Sequence, residues 1–332
     1  MFLLIKILVG STIHLILNFF SKKYKFLIDD TEFSNHKKLT NIQNLSLTGG
    51  TTVLILLILF IEGYLALKLF SIMIFSIGLL SDLKIINSPP LRFIFQAIVI
   101  TIYISILKNN ILSVDLRFLD FFLSNNYFSI FFTALCLLIL INGTNFIDGL
   151  NGLVIFYNIL ILIILLIANE TISLKVDTNF LSNLLLILFI CLIFNLLNKN
   201  FLGDSGSYIV SFLIGSLLID IYPENQKISS LFVVLLLWYP AFEILFSIVR
   251  KLIDNKNPLR PDENHLHQKI FLTIKRFFST KIAANLTTSF AINLYNLLIF
   301  CISLYFINSS YILSFLILLN ISVYLFVYIR LK

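Results

Sequence analysis

Four short stretches of this chain hold the residue types that phosphate chemistry needs. They are Ser81-Asp82-Leu83-Lys84, Asn145-Phe146-Ile147-Asp148-Gly149, Gly203-Asp204-Ser205-Gly206-Ser207 and Pro261-Asp262-Glu263-Asn264-His265-Leu266-His267. Asp204 stands beside glycines and serines at the start of an apolar run. A carboxylate there is costly without a partner. Glycines and an acid at a helix start suit a magnesium-bridged phosphate, and equally suit plain capping. Asp148 lies in a polar turn with Asn145 and Asn151, whose amides can read a base edge or sugar hydroxyls; an ordinary inter-helix turn is the alternative. Asp82 and Lys84 can hold a metal and a phosphate charge, or pair with each other at an interface. His265 and His267, one residue apart, share a side of an extended loop. No third soft ligand lies nearby, which argues against zinc. With Arg260, Asp262 and Asn264 that loop suits a pyrophosphate or a sugar. As a set, separated acids select magnesium or manganese, and with lysine, arginine and histidine they equip a site for phosphoryl transfer.

The elements that position these residues are membrane spans. Of 332 residues, 59% are hydrophobic and 12% charged, and the mean hydropathy is +0.98. A soluble chain carries roughly 25% charged residues, so lipid is the solvent here. Apolar runs cover roughly 2–20, 48–66, 68–80, 92–107, 128–143, 152–168, 181–197, 207–221, 229–249, 288–307 and 309–329. The third is the weakest, at roughly 13 residues against the usual 17 or more. The first run is read as a retained span rather than a cleaved signal. Cys136, Cys191 and Cys301 all fall inside apolar runs and form no CxxC pair, which fits small buried hydrophobes. The expected architecture is an all-α polytopic integral membrane helix bundle of 10–11 transmembrane helices. It forms one domain over 1–332, with site loops at about 21–47, 81–91, 144–151, 198–206 and 250–287.

Charge orients the bundle. Lys22, Lys23, Lys25, Lys37 and Lys38 share one loop, and the loop at 250–287 is strongly basic; the alternate loops hold only Lys108, Arg117, Lys175 and Lys227. The positive-inside rule makes the basic side cytoplasmic, with the N-terminus outside and the C-terminus inside. All four clusters then fall on the cytoplasmic side. The net charge of +7 is concentrated in those loops and favours anionic lipid headgroups and phosphorylated substrates over nucleic acid.

In order along about 29–270, these residues resemble the polyprenyl-phosphate N-acetylhexosamine-1-phosphate transferases of bacterial envelope synthesis. The segment from Asp30 to Gly50, with His36, is similar to the family's first cytoplasmic loop. Ser81-Asp82-Leu83-Lys84 resembles its Asp-Asp-x-Lys region, with Gln96 placed as the family's glutamine is. Asn145 to Gly152 resembles Asn-x-x-Asp-Gly-x-Asp-Gly, Phe201 to Ser207 resembles Phe-x-Gly-Asp-Ser-Gly-Ser, and Pro240 to His267 resembles the ninth span and the loop ending in His-x-His. The resemblance implies attack of a polyprenyl phosphate on the β-phosphorus of a UDP-amino sugar, with magnesium required and UMP leaving. It implies Asp204 and Asp82 at the metal and Lys84 on phosphate charge. Asn145, Asp148 and Asn151 would hold the nucleotide sugar, His265 and His267 would contact the diphosphate or sugar, and Asn195 is a further binding candidate. The implied partners are undecaprenyl phosphate and UDP-GlcNAc or a related UDP-N-acetylhexosamine, in the bacterial inner membrane, with a homodimer kept open.

Ser81 replaces the first acid of the family's pair, Asn151 the second acid of its Asp-Gly-x-Asp-Gly, and Glu243 its usual Asp; Asn195 lies nine residues before Asp204 rather than about ten. The rival readings are a phospho-MurNAc-pentapeptide transferase, a non-catalytic relative that binds lipid phosphate, and a transporter or flippase. The last expects ionisable residues at mid-membrane, where Glu62, Lys68 and Glu243 are the ones of note.

Overall fold

The computed structural model describes residues 2–28, 45–225, 228–258 and 262–331. Arg260, His36, Lys37, Lys38 and Asp30 lie outside them. Among the described residues the chain is built from helices: α1 (Phe2–Tyr24), α2 (Gly49–Phe60), α3 (Leu65–Asp82), α4 (Pro89–Leu107), α5 (Arg117–Leu123), α6 (Asn126–Ile147), α7 (Leu153–Ile172), α8 (Thr178–Leu196), α9 (Gly203–Glu224), α10 (Ser230–Ile253), α11 (Leu266–Ile274), α12 (Lys281–Tyr305) and α13 (Ser310–Arg330). Ten of them are long and apolar enough to cross a membrane. Helix is what such runs must form, because lipid offers backbone N–H and C=O groups no other partner.

The weak run of the sequence is not the weak helix of the structure. Residues 68–80 fall inside α3, a full 18-residue helix, whereas 48–66 yields only the 12 residues of α2. The break falls early because Gly63 and Tyr64 both turn left-handed, at φ +69° and +52°, and hold Glu62 in the turn rather than in a span. Lys68 sends its Nζ back to the Ile58 carbonyl at 3.5 Å. Lys6, Arg92, Glu170 and Asp220 join Lys68 and Glu243 as ionisable residues within helices.

Helix α9 is the centre. In its apolar window 83% of residues are buried, against 17% in α1 and 28% in α13, so α1 and α13 face lipid. Small residues let α2 and α3 press onto the start of α9. A Cβ on Gly50 would stand 2.4 Å from the Gly206 nitrogen, and one on Gly78 2.4 Å from the Ser205 Cα. Real Cβ atoms do not approach so closely, so both crossings need glycine. On the other flank, α6 meets α10 where a Cβ on Gly143 would lie 2.2 Å from the Pro240 carbonyl oxygen. These contacts set α3, α6, α9 and α10 in register at one end of the bundle.

Candidate active site

Gly203 opens α9 at φ +77°, a left-handed turn that residues with a Cβ resist. It lets the first amides of α9 point at Asp82. The Asp82 Oδ1 accepts from the Asp204 N–H at 2.8 Å; Oδ2 accepts from the Ser205 N–H at 3.0 Å and from the Ser205 hydroxyl at 2.6 Å. A carboxylate on otherwise orphaned helix N–H groups, at the positive end of the helix dipole, is strongly stabilised. Asp82 therefore anchors α9 and fixes where the next acid stands.

That acid is Asp204. Its Oδ1 accepts from the Asn145 amide at 2.7 Å, at the end of α6. Its Oδ2 accepts from the Ser81 hydroxyl at 2.6 Å and from Arg92 Nη1 at 2.7 Å. Arg92 Nη1 also donates to the Ser81 Oγ at 2.6 Å. Arg92, one turn into α4 and half-buried, is the residue that reading the sequence missed. Its signal was a charge just inside an apolar run after Pro89-Pro90, where a cation needs a partner. Asp148 follows one turn after Asn145, half-buried at the end of α6, and Lys84 is exposed with a left-handed backbone at φ +58°.

The next residue of α6 reaches a second cluster. The Phe146 ring packs against His265 at 5.2 Å between centroids, edge to face, and Lys251 Nζ lies 5.8 Å from the same ring. The His265 Nδ1 donates to Glu243 Oε1 at 2.9 Å, and the Leu266 N–H shares that oxygen at 3.3 Å. The Tyr324 hydroxyl of α13 donates to Glu243 Oε2 at 2.8 Å. On its other edge His265 Nε2 approaches Asp262 Oδ1 at 3.4 Å. Asp262 also pairs with Arg250 at 2.7 Å. Burial alone would raise the Asp262 carboxyl, but the Arg250 contact and the charges of His265, Lys251 and Arg250 hold it below the ordinary carboxylate value. The His267 ring is buried and stacks on His265 at 5.8 Å. Asn264 is exposed on the same loop.

Asn151 and Asn195 belong to neither cluster. Both are buried, and they knit the α6–α7 turn to the chain before α9. The Asn151 amide donates to Asn198 Oδ1 at 2.6 Å, the Gly152 N–H donates to Asn195 Oδ1 at 2.6 Å, and the Asn195 amide donates to the Asn200 carbonyl at 2.9 Å. The Asn151 N–H donates to Asn285 Oδ1 of α12 at 2.9 Å. The sequence placed these two amides on the substrate. The structure places them in a knot of protein hydrogen bonds, where a neutral amide can both donate and accept.

Residues 64–222 match the model of glycosyl transferase family 4. Asp82, Arg92, Asn145, Asp148 and Asp204 all fall inside the family's matched stretch, while the Glu243–His265 cluster and α1 fall outside it. The chain is 26% identical over 253 residues to an undecaprenyl-phosphate alpha-N-acetylglucosaminyl 1-phosphate transferase of Thermotoga maritima, covering 76% of this chain and 75% of that one. It is 27% identical over 213 residues to a probable undecaprenyl-phosphate N-acetylglucosaminyl 1-phosphate transferase of Bacillus subtilis, covering 62% of this chain and 57% of that one.

Proposed function

We propose that the chain transfers a sugar 1-phosphate, GlcNAc-1-phosphate first among candidates, from a UDP-sugar to polyprenyl phosphate, releasing UMP. The observation that carries this is the Asp204 carboxylate, set at the start of the central helix by Asn145, Ser81 and Arg92 within the stretch that matches the family. The names of both relatives supply the acceptor lipid and the sugar phosphate. The basic loops support a cytoplasmic site in the inner membrane, with the N-terminus outside.

Among the described residues no three His, Cys, Asp or Glu side chains gather to hold a metal. A lone protein carboxylate suits magnesium, which keeps water and takes substrate phosphates as ligands. Asp204 is the residue that would hold it. Asp82, with both oxygens on the amides of α9, serves by placing Asp204. Bound magnesium would supply positive charge to the diphosphate as the bond to UMP breaks.

In the transfer, an oxygen of the lipid phosphate attacks the β-phosphorus and UMP departs. A phosphate monoester is mostly ionised near pH 7, so little proton remains for a base to take. Ser81 in place of an acid fits that requirement. Lys84 neutralises phosphate charge, and Asn145 and Asp148 hold the nucleotide sugar. His267 reaches the diphosphate or sugar from a loop that Glu243 and Asp262 hold through His265, with Asn264 on the same loop; Arg260, outside the described residues, is a binding candidate from its type and place in the sequence alone. Positioning and fixed charge supply much of the rate. The test is to incubate purified membranes with polyprenyl phosphate, Mg²⁺ and a panel of UDP-sugars that includes UDP-MurNAc-pentapeptide. UMP release with a UDP-N-acetylhexosamine is expected; release with no donor would defeat the proposal.

A further inference from the structure

Helix α1 faces lipid, yet it carries a polar seam. Its buried residues are Gly10, His14, Asn18 and Ser21, a spacing that puts them on one face of the helix. Histidine and asparagine inside a span are costly unless partnered, and both are partnered. The His14 ring stacks on Phe194 of α8 at 4.2 Å between centroids. Thr52 Oγ1 commits its single proton to the Thr48 carbonyl at 2.9 Å, so His14 Nδ1 donates to Thr52 Oγ1 at 2.8 Å. His14 Nε2 accepts the Asn18 amide N–H at 2.7 Å. That turns the Asn18 carbonyl oxygen toward the hydroxyl of Thr48, at 2.6 Å, and toward that of Ser46. These five side chains are all buried, and a satisfied polar network in a low dielectric is rigid.

The seam ends on the chain that enters α9. Ser46 pairs with Asn200 as a parallel bridge, in which the Phe201 N–H donates to the Ser46 carbonyl at 2.9 Å. Gly49 and Gly50 open α2, so their N–H groups have no acceptor inside that helix. They donate instead to the carbonyls of Phe201 and Leu202, both at 3.1 Å. Leu202 is followed at once by Gly203, whose left-handed turn leads into Asp204. From the other side the Asn195 amide of α8 holds the Asn200 carbonyl. Residues 200–202 are therefore clamped between α8 and a segment, 46–50, whose own place is fixed by Asn18 and His14.

We infer that His14 is a positioning residue for Asp204, acting through Asn18 and residues 46–50, and that α1 thereby belongs to the machinery of transfer. The inference rests on the transferase reading for the task of Asp204, though not for the relay itself. Asp82 holds the first amides of α9; the relay from α1 holds the chain that leads into them. His14, Asn18, Ser46 and Thr48 all lie outside residues 64–222, so a site drawn from the matched stretch alone leaves out the part that sets its carboxylate.

The experiment compares the full-length wild type with H14F, which keeps a ring against Phe194 and removes both nitrogens, and with N18L, which keeps the shape of Asn18. Two quantities are measured in detergent: UMP release from a UDP-sugar with polyprenyl phosphate and Mg²⁺, and backbone amide exchange by mass spectrometry. In H14F, kcat is expected to fall about tenfold, inside the roughly hundredfold that a misplacement of about 1 Å can cost, while the KM for each substrate stays within about twofold. Amide exchange is expected to rise about tenfold across 200–207 and to stay at the wild-type rate across 210–222. The H14F/N18L double variant is expected to match H14F, because both substitutions break one relay. L15A, on the exposed side of α1, is expected to behave as wild type. Unchanged kcat and exchange in H14F, exchange that rises evenly along α9, a loss confined to KM, losses that multiply in the double variant, or the same loss in L15A would each overturn the inference. If the wild type releases no UMP with any donor, the transferase reading fails, and exchange at 200–207 in H14F decides the relay by itself: a rise there upholds it and an unchanged rate overturns it.

Discussion

Asp82 and Asp204, 122 residues apart, are joined directly: the Oδ1 of the first accepts the backbone N–H of the second at 2.8 Å. One acid therefore sets the position of the other, and the two are expected to respond differently to substitution.

Asp204→Asn removes the negative charge and keeps the shape. It is expected to lower UMP release by a thousandfold or more, on the order of removing a principal electrostatic group at a reacting centre. Thermal unfolding in detergent is expected to stay close to wild type. A variant that turns over normally would remove Asp204 from the metal.

Asp82→Ala leaves the first amides of α9 without their carboxylate. The loss of such a helix cap costs about 1–2 kcal/mol, so this variant is expected to unfold at lower temperature and also to lose turnover. Equal unfolding temperatures for wild type and Asp82→Ala would show that the cap carries no stability.

Arg92→Gln withdraws a charged partner from Asp204 Oδ2, while Ser81→Ala withdraws a neutral one. Hydrogen bonds to charged groups contribute about 1.5–3 kcal/mol when one side is charged. The arginine variant is expected to lose more than tenfold in turnover and the serine variant less. Ser81→Asp would set a second carboxylate against Asp204 and compete for Arg92, so it is expected to slow the enzyme. A large rise in turnover would instead mark Ser81 as a decayed acid.

Glu243→Gln replaces an acceptor-only group with one that also donates. The buried network with His265, Leu266 and Tyr324 then carries one mismatched contact, at a cost of about 1–3 kcal/mol. Tyr324→Phe leaves one oxygen of Glu243 without its donor and is expected to be milder. Thermal unfolding, with UMP release as the second readout, ranks the two.

Asp262 carries a pH dependence whose sign follows from its lowered pKa. Its contribution to docking of the His265 loop is present above the ordinary value of 3.8 and is lost as pH falls through the lower value of the folded state. Nicking of this loop by an acid-active protease is expected to rise steeply in that range in the wild type. In Asp262→Asn it is expected to be higher at neutral pH and nearly flat.

Much of this was legible in the residues. The apolar runs marked the helices, because nothing else satisfies a backbone in lipid. Asp82, Asn145 and Asp204 stood out because acids and amides at span borders need partners. The partners themselves were not legible. Arg92 pairs with Asp204 through the register of α4 against α9, a tertiary fact that no local pattern encodes. Asn151 looked like a ligand for sugar and proved to be part of a buried knot, since an amide serves either task and only burial separates them. The short α2 was hidden because Glu62-Gly63-Tyr64 breaks the helix without breaking the hydrophobic run.

That short helix shapes the membrane face. Twelve residues rise about 18 Å, well under a hydrocarbon thickness of about 30 Å. The side chain of Asn18 in α1 accepts from the hydroxyl of Thr48, just ahead of α2, so α1 continues from Phe19 to Tyr24 past that level. Helix α10 likewise runs on to Ile253 beyond Glu243. Lys22 and Lys23 are exposed in the last turn of α1, whereas Arg250 and Lys251 in the last turn of α10 turn inward onto Asp262. Under the proposed transfer, a polyanion arriving from water would meet the exposed lysines that close α1 before it met the inward-facing cations of α10.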